Sequence, residues 1–300
     1  MTSQDPGSSA TTSAAGRIPP VLWVVAAVVV AGVVALVMTG GGLGYRSVAE
    51  WSDKVPIGHG IDTVRVEIQN GRVDVDVSEE GAEGVIAYAG GVRRAANGAE
   101  ELARLEQVPF RLVAEVDAKR AQTLVLRGPQ LGRETSGVLA LELGIRVRAD
   151  LNLEIAVKEN GHVIVARRTG RTSVDTGRGD LRFEHCRGAV RGKTGRGNVI
   201  AFDHRGDLRL DTTVGDMQAF LEQPGTELQL TSGEGTVQCG VPADCEFVID
   251  ARAEVGRIGS DFGLKAEQNG FAAALTGTRG SGRTKVVLRT GKGHLSFRAR

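Results

Sequence analysis

From residue 61 onward, apolar side chains fall on alternate positions. Ile61, Thr63, Val64, Val66 and Ile68 lead to Asn70-Gly71, and Val73, Val75 and Val77 follow. Period-two alternation on either side of an Asn-Gly turn predicts strand, turn, strand. The pattern returns over Phe110 to Val116, Thr123 to Leu126 and Val138 to Val147. It fades between Glu79 and Gln107, where Ala99 to Gln107 suggests a short helix with only Leu102 and Leu105 to bury.

After Thr169 the alternation becomes periodic on a longer scale. Glycines stand at 179, 188, 197, 206 and 215, nine residues apart, and Gly225 and Gly235 follow at steps of ten. Leu181, Val190, Val199, Leu208, Met217 and Val237 each lie two places after such a glycine. One unit holds a strand of roughly five residues and a turn of about four. Two units make a rung of 18–19 residues. Its corners read Thr176-Gly177-Arg178-Gly179, Thr194-Gly195-Arg196-Gly197, Ser232-Gly233-Glu234-Gly235 and Thr290-Gly291-Lys292-Gly293. A lone rung cannot bury its apolar face, so rungs must stack. The expected fold is all-β, a β-solenoid or flattened two-sheet β-helix. An antiparallel β-sandwich is the alternative, because nine-residue spacing also suits hairpins. Val147-Arg148-Ala149-Asp150 is echoed by Val241-Pro242-Ala243-Asp244, 94 residues later, so the repeat domain 61–300 divides into two related halves, 61–146 and 147–300, or forms one continuous stack.

A different pattern precedes the repeats. No charged residue lies between Arg17 and Arg46, and Val21 to Met38 contains only Val, Leu, Trp, Ala, Gly and Met. Such a helix, at about 1.5 Å per residue, nearly spans a hydrocarbon layer of ~30 Å. Trp23 and Tyr45 stand near its ends as interface anchors. The sequence therefore predicts a disordered tail over 1–18, a transmembrane helix over 19–42 and a linker over 43–60. A cleaved signal peptide is the competing reading, with Ser47 and Ala49 as its small-x-small pair, although the apolar run is longer than such segments usually carry. A short inner tail and a large outer domain is the commoner arrangement, which places the repeats outside the cytoplasm on a single-pass cell-membrane protein.

The strands around Asn70-Gly71, the "VRAD" and "VPAD" segments, and the corners "TGRGDL", "TGRGNV", "SGEGTV" and "TGKGHL" resemble the putative-adhesin family of bacterial β-strand-repeat domains of unknown function. The likeness runs from Ile61 to the C-terminus. It implies display at the cell envelope and adhesion, and it carries no catalytic motif onto any residue here.

Composition narrows the function classes. Glycine supplies 42 of 300 residues and aromatics 4%, which suits tight turns around a core of small aliphatic side chains. With 37 basic and 36 acidic residues the net charge is +1, which excludes polyanion binding by the chain as a whole. Charge is nevertheless blocked: 166–209 carries net +6, 210–270 net −8 and 271–300 net +7. Rungs stacked in chain order would turn these blocks into bands. Arg178 and Arg196 occupy equivalent corners, as do Arg187 and Arg205, and stacked like charges repel unless an anion lies between them. These four arginines are the candidate site, for an acidic polysaccharide, a teichoic-type polymer or a lipid headgroup. Nucleic acid is not expected, because aromatics do not interleave with the basic residues.

His185 and His204, each after a Phe-acid pair, form with Cys186 the one cluster resembling a metal or acid-base site; it reads more simply as a repeated surface position. No serine stands in a nucleophile elbow, and the Gly-x-Gly segments recur as corners rather than as one phosphate loop. No catalytic residue, metal or cofactor is expected. Cys239 and Cys245 either close a small disulfide loop or are both buried, and Cys186 stays free. The expected function is a non-enzymatic, membrane-anchored, adhesin-like or envelope scaffold that meets an envelope polymer, a membrane protein or its own copies. The alternatives are an accessory or signalling membrane protein with a β-repeat sensor domain and, more distantly, a carbohydrate-active enzyme.

Overall fold

A strand with one apolar face buries it best when strands align side by side, and this chain does so twice per rung. The computed structural model describes residues 45–58, 60–77, 85–108, 112–130 and 138–300. Parallel strands build two long stacks. The first sheet runs through 63–68, 152–157, 172–178, 190–196, 208–214, 228–234, 284–292 and 247–255. The second runs through 71–77, 161–165, 181–184, 199–202, 217–220, 237–241, 295–299 and 258–260. Thr123–Arg127 and Val138–Val147 add a layer outside 63–77. The described chain is therefore a parallel two-sheet solenoid through its middle, not an antiparallel sandwich.

Register makes the core. Val64, Leu153, Thr172, Val190, Leu208, Leu228, Val286 and Ile249 are successive partners in the first sheet. Leu181, Val199, Met217, Val237 and Leu295 are successive partners in the second. All of these are buried, and one apolar cluster runs through both of the halves expected from sequence. Large and small residues interlock: a Cβ on Gly192 would lie 2.9 Å from the Phe183 ring.

Layer order departs from chain order at both ends. The 63–77 layer lies between 123–147 and 152–166, although it comes first in the chain. The final layer, 284–299, inserts between 228–241 and 247–260. The expected charge bands are corrected by this insertion. The basic C-terminal block enters the acidic one, where Lys292 Nζ meets Glu234 at 2.7 Å and Arg289 pairs with Asp250.

The expected linker also needs correction, since 43–60 contains β1 (Tyr45–Pro56), antiparallel to Val85–Ala96, which in turn pairs with Val138–Val147. Ala49, Trp51 and Val55 pack on the core from alternate positions, while Ser47 and Asp53 on the same face hide the alternation from a sequence reader. The helix α1 (Ala99–Glu106) forms as expected and buries Leu102 and Leu105 beside Ala96. The far end is closed by Phe247, Phe262 and Phe297, with ring centroids 4.8–5.0 Å apart. The tail 1–18 and the transmembrane helix 19–42 expected from sequence lie outside the described residues. Among the described residues no helix is long and apolar enough to cross a membrane.

Candidate functional site

At one edge of the solenoid the chain turns through the Thr-Gly-x-Gly corners. The second glycine of each corner lies under its counterpart in the next layer with positive φ. At Gly197, φ is +149° and a Cβ would stand 2.2 Å from the Gly179 carbonyl oxygen, so only glycine fits. The threonine or serine beneath points inward and donates to a glycine carbonyl of the neighbouring layer, as it also does in the variant corner Thr212-Thr213-Val214-Gly215: Thr194 to Gly179 at 3.0 Å, Thr212 to Gly197 at 3.2 Å, Ser232 to Gly215 at 2.9 Å and Thr290 to Gly235 at 2.8 Å. Outside the corner a second ladder forms. Asp180 accepts the Asn198 amide at 2.8 Å, Asn198 accepts that of Asp216 at 2.9 Å, and Asp216 accepts that of Thr236 at 2.7 Å. The corner's own polar groups are thus engaged between layers, and Arg178 and Arg196 project from it as direct register partners.

The opposite edge is built differently. Arg167, His185 and Asp203 repeat at intervals of 18 with φ of 58°, 51° and 51°, and each is followed by an inward side chain: Arg168, Cys186 and His204. The surface repeat expected for His185 and His204 is therefore displaced by one residue. His185 is exposed with Nδ1 3.6 Å from Asp203, whereas His204 is buried in step with Cys186. Arg168 donates to the carbonyls of Val147, Arg148 and Leu151, and burial draws its pKa down to about 10. Burial raises the Cys186 thiol and lowers the His204 imidazole, whose Nε2 contacts the Asp207 carbonyl at 3.1 Å. Among the described residues no three His, Cys, Asp or Glu side chains group as a metal site. Cys186, Cys239 and Cys245 are free thiols; of the two alternatives for 239 and 245 the disulfide is not formed, and burial is complete for Cys239 and partial for Cys245.

The four candidate arginines thus divide between two edges. Arg178 and Arg196 flank the glycine corner, whereas Arg187 and Arg205 lie on the opposite edge, with Arg205 held by Glu222 at 2.6 Å. What joins the edges is the strand Val190–Arg196, which buries Val190, Gly192 and Thr194 and exposes Arg191 and Lys193. Arg187, Arg191, Lys193 and Arg196 therefore form one basic stripe across a single layer, with Arg178 on the layer beside it. None of these five side chains has a partner among the described residues. Arg191 and Lys193 were not singled out from sequence, although the alternation Val-Arg-Gly-Lys-Thr that exposes them is plain in it. Beside Arg178 a cleft of about 310 Å³ is lined by Asn70, Arg72, Arg93, Asn160 and His162. In it Arg72 meets Asp74 at 2.9 Å and Arg93 pairs with Glu142.

No family model matches the chain, and no curated protein is similar to it. Among solved structures it is similar to a putative cell adhesion protein from Clostridium sporogenes, with a TM-score of 0.38 and 11% identity over 84% of this chain and all of the other. It is also similar to putative adhesins from Bacteroides fragilis (TM-score 0.35, 11% identity, 83% of this chain and 96% of the other) and Parabacteroides distasonis (TM-score 0.28, 10% identity, the same shares). Likeness at this level assigns no ligand and no activity.

Proposed function

We propose that the chain is a non-enzymatic, adhesin-like scaffold that holds anionic envelope polymers on its basic stripe, anchored by residues 19–42 with the solenoid outside the cytoplasm. The observation that carries this reading is the uncompensated charge of the middle layers. The blocks 210–270 and 271–300, net −8 and +7, interleave and nearly cancel, while 166–209 keeps its net +6. Within it Arg178, Arg187, Arg191, Lys193 and Arg196 are exposed and form no ion pair among the described residues. Layers about 4.8 Å apart set Arg178 directly beside Arg196, where the two repel until an anion enters, whereas Lys193 lies in register between Asp175 and Asp211. A linear polyanion can follow such a stripe without ordering the protein further, and salt screens the attraction.

Two measurements test it. The full chain in detergent should bind immobilised polygalacturonate and poly(glycerol phosphate) at low salt and release both as salt rises. Replacing Arg178, Arg191, Lys193 and Arg196 by alanine should weaken binding roughly tenfold or more while leaving the unfolding midpoint in place. Undiminished binding rejects the stripe, and release of reducing ends from the polysaccharide rejects the non-enzymatic reading. External protease on intact cells should digest the solenoid and spare the N-terminal tail; the reverse pattern rejects the orientation.

A further inference from the structure

We infer that β1 is a self-association edge: two copies of this chain pair antiparallel through residues Val48 to Pro56 about Ser52 and join their second sheets into one. The two sheets have four ends among the described residues. Three finish in short strands, Val113–Val116, Ile258–Ser260 and Glu267–Asn269. The fourth is β1, 12 residues long, paired on one side only and along its whole length without a register shift. Long, flat edges recruit further strands, and proteins blunt them with lysine, proline, bulges or brevity. In β1 lysine and proline appear only at its end, as Lys54 and Pro56.

The backbone shows which residues face outward. The Lys54 amide donates to the Asp53 carboxylate at 2.8 Å, and Pro56, two residues on, has no amide to donate. Proline sits on edge strands with its nitrogen away from the ladder. By the two-residue period, the backbone groups of Val48, Glu50, Ser52 and Lys54 therefore line the free edge. Pairing about Ser52 uses this set: Ser52 meets Ser52, and Glu50 of each copy lies opposite Lys54 of the other. Glu50 and Lys54 are exposed and have no ion-pair partner among the described residues. Because the edge is complementary to itself, the occupant it fits is a second copy.

Geometry in the membrane favours the same occupant, and this clause alone rests on the anchoring proposed above. The uncharged run ends where β1 begins, so anchored copies present their edges at one height about a two-fold axis normal to the bilayer.

The full chain, in detergent and in bilayer discs, is expected to have the mass of a dimer. In a Cys245→Ser background, Ser52→Cys should give a disulfide-linked dimer under mild oxidation and Val48→Cys should not. Glu50→Lys and Lys54→Glu should each weaken the dimer about tenfold or more by setting like charges opposite, and an equimolar mixture of the two should restore it. A monomeric mass with no Ser52→Cys product overturns the inference, as does equal cross-linking at Val48→Cys or failure of the mixture to restore pairing. Cross-linking of Ser52→Cys to a different protein, without a homodimer, overturns it too. A chain that partitions into membranes but stays monomeric defeats this inference alone. A chain that dimerises but fails to partition defeats only the anchoring.

Discussion

Arg168, Cys186 and His204 stack at the corner opposite the Thr-Gly-x-Gly edge, each fully buried behind a residue in the left-handed region. Buried polar groups persist where they are satisfied or neutral. Arg168 donates from both terminal nitrogens to backbone carbonyls while its Nε has no partner among the described residues, and Cys186 is neutral because burial raises its pKa. His204 is neutral for the same physical reason with the opposite sign: burial holds its pKa below the ordinary 6.5. The unfolded chain then binds the proton more readily than the folded one, so stability rises with pH across this window. The contribution is complete above pH 6.5 and is lost as pH falls toward the folded value. Asp76, Asp207 and Asp250 act in a lower window, because their hydrogen-bonded carboxylates have pKa values below 3.8. Urea unfolding at pH 7.5 and 5.5 should therefore show native stability falling by up to about 1.4 kcal/mol per pH unit below 6.5, and His204→Leu should flatten that slope. Equal slopes in the two proteins would remove His204 from the account.

The repeating element is the Thr-Gly-x-Gly corner, where backbone contact and buried hydroxyl act together. Gly197→Ala sets a Cβ against the Gly179 carbonyl and forces alanine to positive φ, so neighbouring layers must separate. We expect a loss of about 2–4 kcal/mol, read from the denaturant midpoint, and a shift below 0.5 kcal/mol would refute the close packing. Much of this element is legible in sequence. The inward positions of Leu181, Val199 and Met217 follow from period two and nine-residue spacing, and glycine at each corner announces a tight turn. The inward threonines are less legible, because a hydroxyl beside glycine looks like an exposed turn residue until the carbonyl of the next layer is in place. β1 is hidden for a related reason, its inward face mixing Ser47 and Asp53 with Ala49, Trp51 and Val55. The arginine ladder is half legible: 18-residue spacing pairs Arg178 with Arg196, but a nine-residue unit alternates between opposite edges, so Arg187 belongs elsewhere. Arg191 and Lys193 supply the connection that corner positions alone cannot show.

For the whole molecule, the order of layers is the property least visible in sequence. Every layer offers a similar small aliphatic column, so Val286 fits between Leu228 and Ile249 as well as it would beyond them. Charge discriminates where packing does not. A strand carrying Arg289 and Lys292 gains Asp250 on one side and Glu234 on the other only in the inserted position. This makes the C-terminus an interior layer, with a consequence opposite to that for a solenoid stacked in chain order. Losing the last rung of such a solenoid moves its end inward by one layer and leaves the rest paired. Ending this chain at Arg283 instead removes the strands between 228–241 and 247–260, leaving both facing a gap. Leu228, Leu230, Val237 and Cys239 lose their register partners on one side, and 247–283 loses its attachment to the stack. The truncated chain should expose 247–283 to limited proteolysis first and unfold at a lower denaturant midpoint than the full chain, in a broader transition. A single cooperative transition at the original midpoint, with 247–283 still protected, would mean that those layers can close on one another, and that insertion of the C-terminal layer is not what holds this end of the solenoid together.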